Sequence, residues 1–412
     1  MLNIILLIVA CLCFIALSMY NPLHNYLVVS NLQRYFYYES YGPTAYIDFQ
    51  NTLTLCIVIS SILGLLSYIY LERMIDKKLI IVGSCAATGI FAILSTVFGA
   101  NVLFVISNCL FTFFKFLLII SLSHYIYLRF NYKYVIGMII ILISTPFIRL
   151  GDTLNYYYRN FEQLSFFRPN LSAYGSAVVN TAIIPIAILL IAILLFVILK
   201  LSANNKSYQE AQFDNEIQEV NNSIFDPVLN PLRTKNIVLI VLFSIFAISL
   251  YYSITWYINL NCTRLWVNDY SWTLNVIPLL IMIGYIVMFF IFDYKKITIV
   301  SLILMGIIIS TSSFGKIEIY HIIAMMSLKI VMVPSLIAMI ATKANKTQFH
   351  GALAISLSIG IFVSNLYANY LNENYYITDK FMTIFLFICA FLIIFSMIIC
   401  FVIGKRKSIS NN

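Results

Sequence analysis

NNKSYQEAQFDNEIQEVNNS, residues Asn204–Ser223, lies in the longest polar and irregular stretch of the chain, 201–236. Its asparagines, glutamines and charged residues offer no apolar face to bury, so it reads as an exposed loop. What surrounds it is the opposite. The chain is 62% hydrophobic and only 10% charged, with a mean hydropathy of +0.94, whereas soluble domains carry about 25% charged residues. The protein is therefore read as an integral membrane protein. In lipid every backbone polar group must be satisfied internally, which leaves helices or a closed barrel. The apolar runs are continuous and lack the alternation of barrel strands, so the expectation is an all-α membrane protein.

A spanning helix takes about 20 apolar residues. Counting outward from the polar stretch gives segments near 3–24, 51–71, 78–98, 102–128, 133–149 and 174–200 before it. After it come 236–258, 272–292, 297–314, 318–342, 350–370 and 380–403. About twelve transmembrane helices are expected as two six-helix bundles: 1–200, a central loop 201–236, and 237–412 with a short tail.

Orientation follows from the basic residues. One set of loops and ends holds sixteen of them, including Arg73, Lys77, Lys78, Lys295, Lys296, Lys343 and Lys405. The opposite set holds seven: Arg34, Arg149, Arg159, Arg168, Arg264, Lys316 and Lys380. The richer side is cytoplasmic, so both termini and the central loop are expected there, in a multi-pass plasma membrane protein (the inner membrane, for a Gram-negative cell). The net charge of +9 is thus a matter of topology, since the basic residues are scattered over short turns and form no stripe for nucleic acid. The run Leu2–Tyr20 lacks a basic leader and a small-residue cleavage site, and reads as a first spanning helix.

Chemistry that would mark an enzyme is missing from the pattern. There are no paired carboxylates, no nucleophile–base arrangement, no phosphate-binding glycine loop and no metal-ligand cluster. The eight cysteines include no CxxC pair, and seven of them lie inside apolar runs as packing residues. No catalytic function, metal, cofactor or ATP-driven step is expected from this chain.

Two residues break the apolar pattern at depth. Lys115 and Lys329 fall near the middle of the fourth and tenth segments, where a charge costs at least about 2.5–3.5 kcal/mol on insertion scales. Asn108, Thr112 and Lys115 stand at i, i+4 and i+7, a polar stripe on one helix face. Ser249, Ser253 and Trp256 make a similar line on the seventh segment, Met325, Lys329 and Met332 one on the tenth, and Ser364 and Asn365 add polarity to the eleventh. No carboxylate lies at the depth of the lysines; Asp152 and Glu318 come nearest, at the outer ends of the fifth and tenth segments. Two buried ammonium groups without a counter-ion suit an anionic ligand. The alternative is that each bonds helix carbonyls or asparagine side chains. Snorkelling is excluded by distance, because mid-helix lies more than about 10 Å from water. Either lysine is also a candidate titrating group for proton coupling.

The turn after the second segment reads YLERMIDKKLI (Tyr70–Ile80), and the turn after the eighth reads FDYKKITI (Phe292–Ile299). With the six-plus-six layout and the long middle loop, these resemble the major facilitator superfamily, whose motif at the first turn is roughly G-x-x-x-D-R-x-G-R-K. Glu72 and Arg73 stand at its acidic–arginine pair, and Lys77 and Lys78 near its basic end, while Tyr68 and Ile75 replace its two glycines. The second copy is reduced to Asp293, Lys295 and Lys296. Glu318–Tyr370, with SLKIVMVPSLIAMIATK followed by a long eleventh helix, is similar to segments ten and eleven of sugar–proton symporters, with Lys329 where those carry a histidine and Met332 where they carry a coupling glutamate.

The resemblance implies a secondary active transporter working by alternating access as a monomer, on a small solute and with protons as a possible coupling ion. It also implies that segments one, four, seven and ten line a central cavity, which would set Lys115 and Lys329 facing it from opposite halves. Lys115, Lys329, Asn108, Thr112, Ser253 and Trp256 are then substrate-binding candidates. Glu72, Arg73, Lys77, Lys78 and Asp293 are gating candidates, and Asp152 and Glu318 are coupling ones. The lysines point to an anionic cargo such as an organic acid, a siderophore or an acidic sugar derivative. The competing class is a membrane enzyme or flippase of surface-polysaccharide assembly. The largest external loops, Asn25–Gln50 and Leu150–Ala173, hold one and two arginines and no histidine, which disfavours the enzyme. His124 and His321 read as interfacial residues near helix ends, and Trp256, Trp266 and Trp272 as an aromatic belt.

Overall fold

A computed structural model describes residues 2–24, 42–97, 102–130, 173–203, 237–250, 293–314, 321, 324–325, 328, 332–344, 348–373 and 379–403. Every regular element among them is an α-helix. The helices are α1 (Leu2–His24), α2 (Gly42–Met74), α3 (Lys77–Val97), α4 (Val102–Arg129), α5 (Ala173–Ala203), α6 (Ile237–Leu250), α7 (Tyr294–Phe314), α8 (Met332–Lys343), α9 (Phe349–Glu373) and α10 (Asp379–Val402). Two compact units divide the chain: Met1–Ile126 with Leu150–Asn230, and Tyr127–Arg149 with Pro231–Asn412. The fifth and eighth expected segments and the expected central loop beyond Ala203 lie outside the described residues, while 201–203 belong to the end of α5.

Where both ends lie among the described residues, helix bounds follow the apolar runs to within a few residues, with one exception. The second segment was expected from residue 51, but α2 begins at Gly42. Pro43 in its first turn suits a helix start, because a missing N–H costs nothing there. The polar residues Asp48, Gln50 and Asn51 extend the helix beyond the apolar stretch.

Five of the described helices are long and apolar enough to cross a membrane. Their outward faces confirm what they meet. Leu55, Ile59 and Leu63 on α2 and Ile183, Ile186, Leu190 and Ile193 on α5 are all exposed, as are Ile4, Ile8 and Leu12 on the shorter apolar helix of α1. Stripes of that kind are an aggregation hazard in water and the natural surface of a helix in lipid. The protein is a multi-pass membrane protein.

Inside the first unit, small residues bring helices together. The buried face of α3 runs Ser84, Cys85, Thr88, Gly89, Ala92, Ser95 and Thr96, and α3 packs on α5 through it. Close approach through small side chains is how helices associate in lipid, where the hydrophobic effect does not discriminate. The hydroxyls do not go unsatisfied: Ser84 donates to Ile81 O (3.1 Å), Thr88 to Ser84 O (2.7 Å) and Thr96 to Ile93 O (2.7 Å). At Gly64 of α2 a Cβ would run into the carbonyl oxygen of Phe113 on α4, with Phe113 C and Cα at 3.1 and 3.2 Å. Only glycine permits that approach.

The second unit packs α7 on α10 and α8, and α8 on α9. Phe246 of α6 stacks on Phe395 of α10 with centroids 5.3 Å apart. Lys295, at the start of α7, donates from Nζ to Phe401 O (3.0 Å) and Ile403 O (2.9 Å), closing the carbonyl end of α10.

Both basic turns are built alike. Asp76 Oδ1 accepts the Lys78 N–H at 3.0 Å and Asp293 Oδ1 accepts the Lys295 N–H at 3.1 Å, so each aspartate N-caps the helix that follows. The structural counterpart of Asp293 is therefore Asp76, not Glu72.

Candidate functional site

Lys115 sits at the midpoint of α4, roughly 20 Å of helix from either end at 1.5 Å per residue. Asn108 and Thr112 on the same face are 5% and 6% exposed, and Ser107 beside them is 4% exposed. Lys115 itself is half-buried. Its Nζ lies 5.8 Å from the Phe111 ring centroid and 5.4 Å from that of Phe116, within cation–π range. Asn108 Nδ2 donates to Phe104 O, one turn back, at 2.8 Å. That bond keeps the amide in the interior and leaves its carbonyl oxygen as an acceptor.

The aromatic floor beside Lys115 is fixed. Phe111 packs on Tyr20 with centroids 4.9 Å apart. The Tyr20 hydroxyl donates to Ala92 O at 2.9 Å and lies 2.9 Å from Ser95 Oγ, so α1, α3 and α4 meet there. Phe91 and Phe114 stack at 5.6 Å. Among the described residues Lys115 has no carboxylate partner; the ion pair described is Glu72–His124, at the far end of the helix. An ammonium half out of water, backed by rings and a buried amide, can take up an anion.

The remaining sequence candidates divide. Lys329, Ser253, Trp256, Asp152 and Glu318 lie outside the described residues. Ser249 is buried at 4% exposure and so is Met325 at 0%. At the first turn, Arg73 is exposed and Lys77 and Lys78 are half-buried, while Glu72 turns inward.

Sequence reasoning placed His124 at the interface, and the structure buries it to 2%. Its Nδ1 lies 2.9 Å from Tyr68 Oη and 3.2 Å from Glu72 Oε2, with the Tyr68 ring edge-on to the imidazole. The signal was present as the four-residue spacing of Tyr68 and Glu72, which puts both on one face of α2. Tyr68 stands where the family motif has glycine, so that departure carries the hydroxyl into this cluster.

The proton:xylose symporter XylE of the major facilitator superfamily, in its complex with 6-bromo-6-deoxy-D-glucose, matches 98% of this chain over 96% of its own with a TM-score of 0.75, at 14% identity. The chain has the major facilitator fold. FucP, a transporter of that superfamily in its outward conformation, matches 97% of the chain over 99% of its own (TM-score 0.67, 14% identity). The human organic anion transporter MFSD10 matches 96% over 98% (TM-score 0.67, 10% identity). No family model and no curated protein matches the sequence. At such identities the major facilitator fold is carried by the spacing of apolar runs and turns, and little of it by particular side chains.

Proposed function

We propose that the protein is a secondary transporter that moves a small anionic solute across the membrane by alternating access. The observation that carries this is Lys115: a cation at mid-helix, set on two phenylalanine rings, with no carboxylate partner among the described residues. Lys329 supplies the second positive charge, and Asn108, Thr112, Ser253 and Trp256 provide hydrogen bonds and an aromatic face for the rest of the solute. The fold is shared with sugar–proton symporters and with an organic anion transporter, which supports a small-molecule cargo driven by a gradient. Arg73, Lys77, Lys78 and Asp293 act at the cytoplasmic gate with Glu72, and Asp152 and Glu318 are the coupling candidates nearest the outer side.

The test is uptake or export of pooled carboxylates, phosphates and neutral sugars by cells that express the protein. Lys115→Ala and Lys329→Ala should each abolish movement of the acidic solute while membrane insertion is unchanged. Normal transport in both variants would overturn anion binding by the lysines. Asp152→Asn or Glu318→Gln should remove the pH dependence if a carboxylate near the outer side couples protons.

A further inference from the structure

Glu72, His124 and Tyr68 of the first unit form a cluster that anion binding leaves unused. His124 is 2% exposed and Glu72 10%, and Tyr68 is fully buried. One imidazole nitrogen faces both a carboxylate oxygen at 3.2 Å and a phenol oxygen at 2.9 Å. The hydrogen bond at Nδ1 is to the Tyr68 hydroxyl, and the Glu72 oxygen stands at ion-pair distance from the same nitrogen, so a proton on the ring or on the carboxyl relieves the repulsion that two bare lone pairs would have there. With a neutral imidazole and an ionised Glu72 the cluster holds one net negative charge away from water, a costly state. One further proton, on the ring or on the carboxylate, brings the net charge to zero. Tyr68 can donate to, or accept from, whichever partner needs it.

We propose that Glu72, His124 and Tyr68 are a proton-binding site that takes one proton from the cytoplasmic side and returns it during the transport cycle. Glu72 lies two residues from the end of α2 and next to the turn with Arg73, Asp76, Lys77 and Lys78. A change of one charge there acts directly on the α2–α3 corner. The other ionisable groups to be separated from it are Tyr70 on α2, Tyr125 and Arg129 on α4, and, in the second unit, the buried His350. The role in a cycle rests on the transporter function proposed above; the proton binding does not.

The chain has four histidines, so nitrogen NMR of histidine-labelled protein in lipid nanodiscs can resolve each ring, with assignment by single His→Gln changes. Glu72→Gln should move the protonation midpoint of His124 by about tenfold or more in proton concentration and leave His24 and His321 in place. Tyr68→Phe, which removes a single hydroxyl, should move it less and keeps the test open if Glu72→Gln fails to fold. Amide exchange of α2 and α3, corrected for intrinsic rates, should change with pH at the His124 midpoint and lose that change in His124→Gln. An unmoved His124 midpoint in both Glu72→Gln and Tyr68→Phe would overturn the site. Exchange in α2 and α3 that ignores the His124 midpoint would overturn its link to motion. Neither readout uses a solute, so both stand or fall apart from the anion proposal.

Discussion

Replacing Lys115 by leucine separates a functional cation from a structural one. A lysine at the centre of a spanning helix costs about 2.5–3.5 kcal/mol on insertion scales, and leucine there gains about 0.3–0.6 kcal/mol. Against this stand the two ring contacts at 5.8 and 5.4 Å, near the outer limit for a cation–π pair and worth about 0.5–1 kcal/mol each. Lys115 keeps part of its surface accessible, so the penalty applies only in part. The difference leaves Lys115→Leu about 1–2 kcal/mol more stable than the natural protein, at the expense of transport, as expected where a site is held against stability. Reversible unfolding of the purified protein in mixed micelles, followed by circular dichroism, measures the first effect and uptake the second. If Lys115→Leu lost more than about 1 kcal/mol and transport persisted, the lysine would be a structural group bonded to helix carbonyls.

Gly64→Ala should destabilise the first unit by about 1–3 kcal/mol, because the added carbon meets backbone at Phe113 that has no rotamer to escape into. Gly83→Ala, exposed and with nothing within 4 Å of the new carbon, should instead gain about 0.5–1 kcal/mol from helix propensity; both are read in the same unfolding assay. Asp76→Ala and Asp293→Ala should each lose about 1 kcal/mol, with faster amide exchange confined to the first turns of α3 and α7. Lys343, at the end of α8 outside the span, has its ammonium pushed below the usual lysine range by desolvation first and by Lys295 second, with Asp293 opposing. The folded protein then holds fewer protons than the unfolded chain between that lowered value and about 10.4, so stability should rise with pH across the window. Lys295→Met should flatten the rise, as seen in unfolding midpoints taken at several alkaline pH values.

Helices were legible where apolar runs give way to charged, asparagine or glycine residues, which is why α3, α4, α7 and α10 begin and end within three residues of the sequence expectation. The start of α2 was not, since Gly42–Asn51 is polar enough to read as loop and yet is helical from Gly42 onward. The polar stripe of α4 was readable as periodicity, and its buried asparagine and threonine follow from it. The Glu72–His124 pair was not readable. Its partners are 52 positions apart, and a histidine near a helix end is by sequence an interfacial residue; only the approach of α2 to α4 at Gly64 and Phe113 closes the gap. The two aspartate caps were hidden for a different reason. Asp76 and Asp293 sit among basic residues that topology already explains, so their capping geometry left no separate mark.

The most direct test of Lys115 as the anchor of an anionic solute is a thermal-shift measurement on the purified protein with a panel of small carboxylates and phosphates beside neutral sugars of similar size. A ligand that binds only the folded state raises the midpoint by mass action. At least one anion should raise it in the natural protein and not in Lys115→Ala, with the neutral analogues inert. Equal stabilisation of Lys115→Ala by the same anion, or stabilisation by neutral solutes alone, would contradict the account.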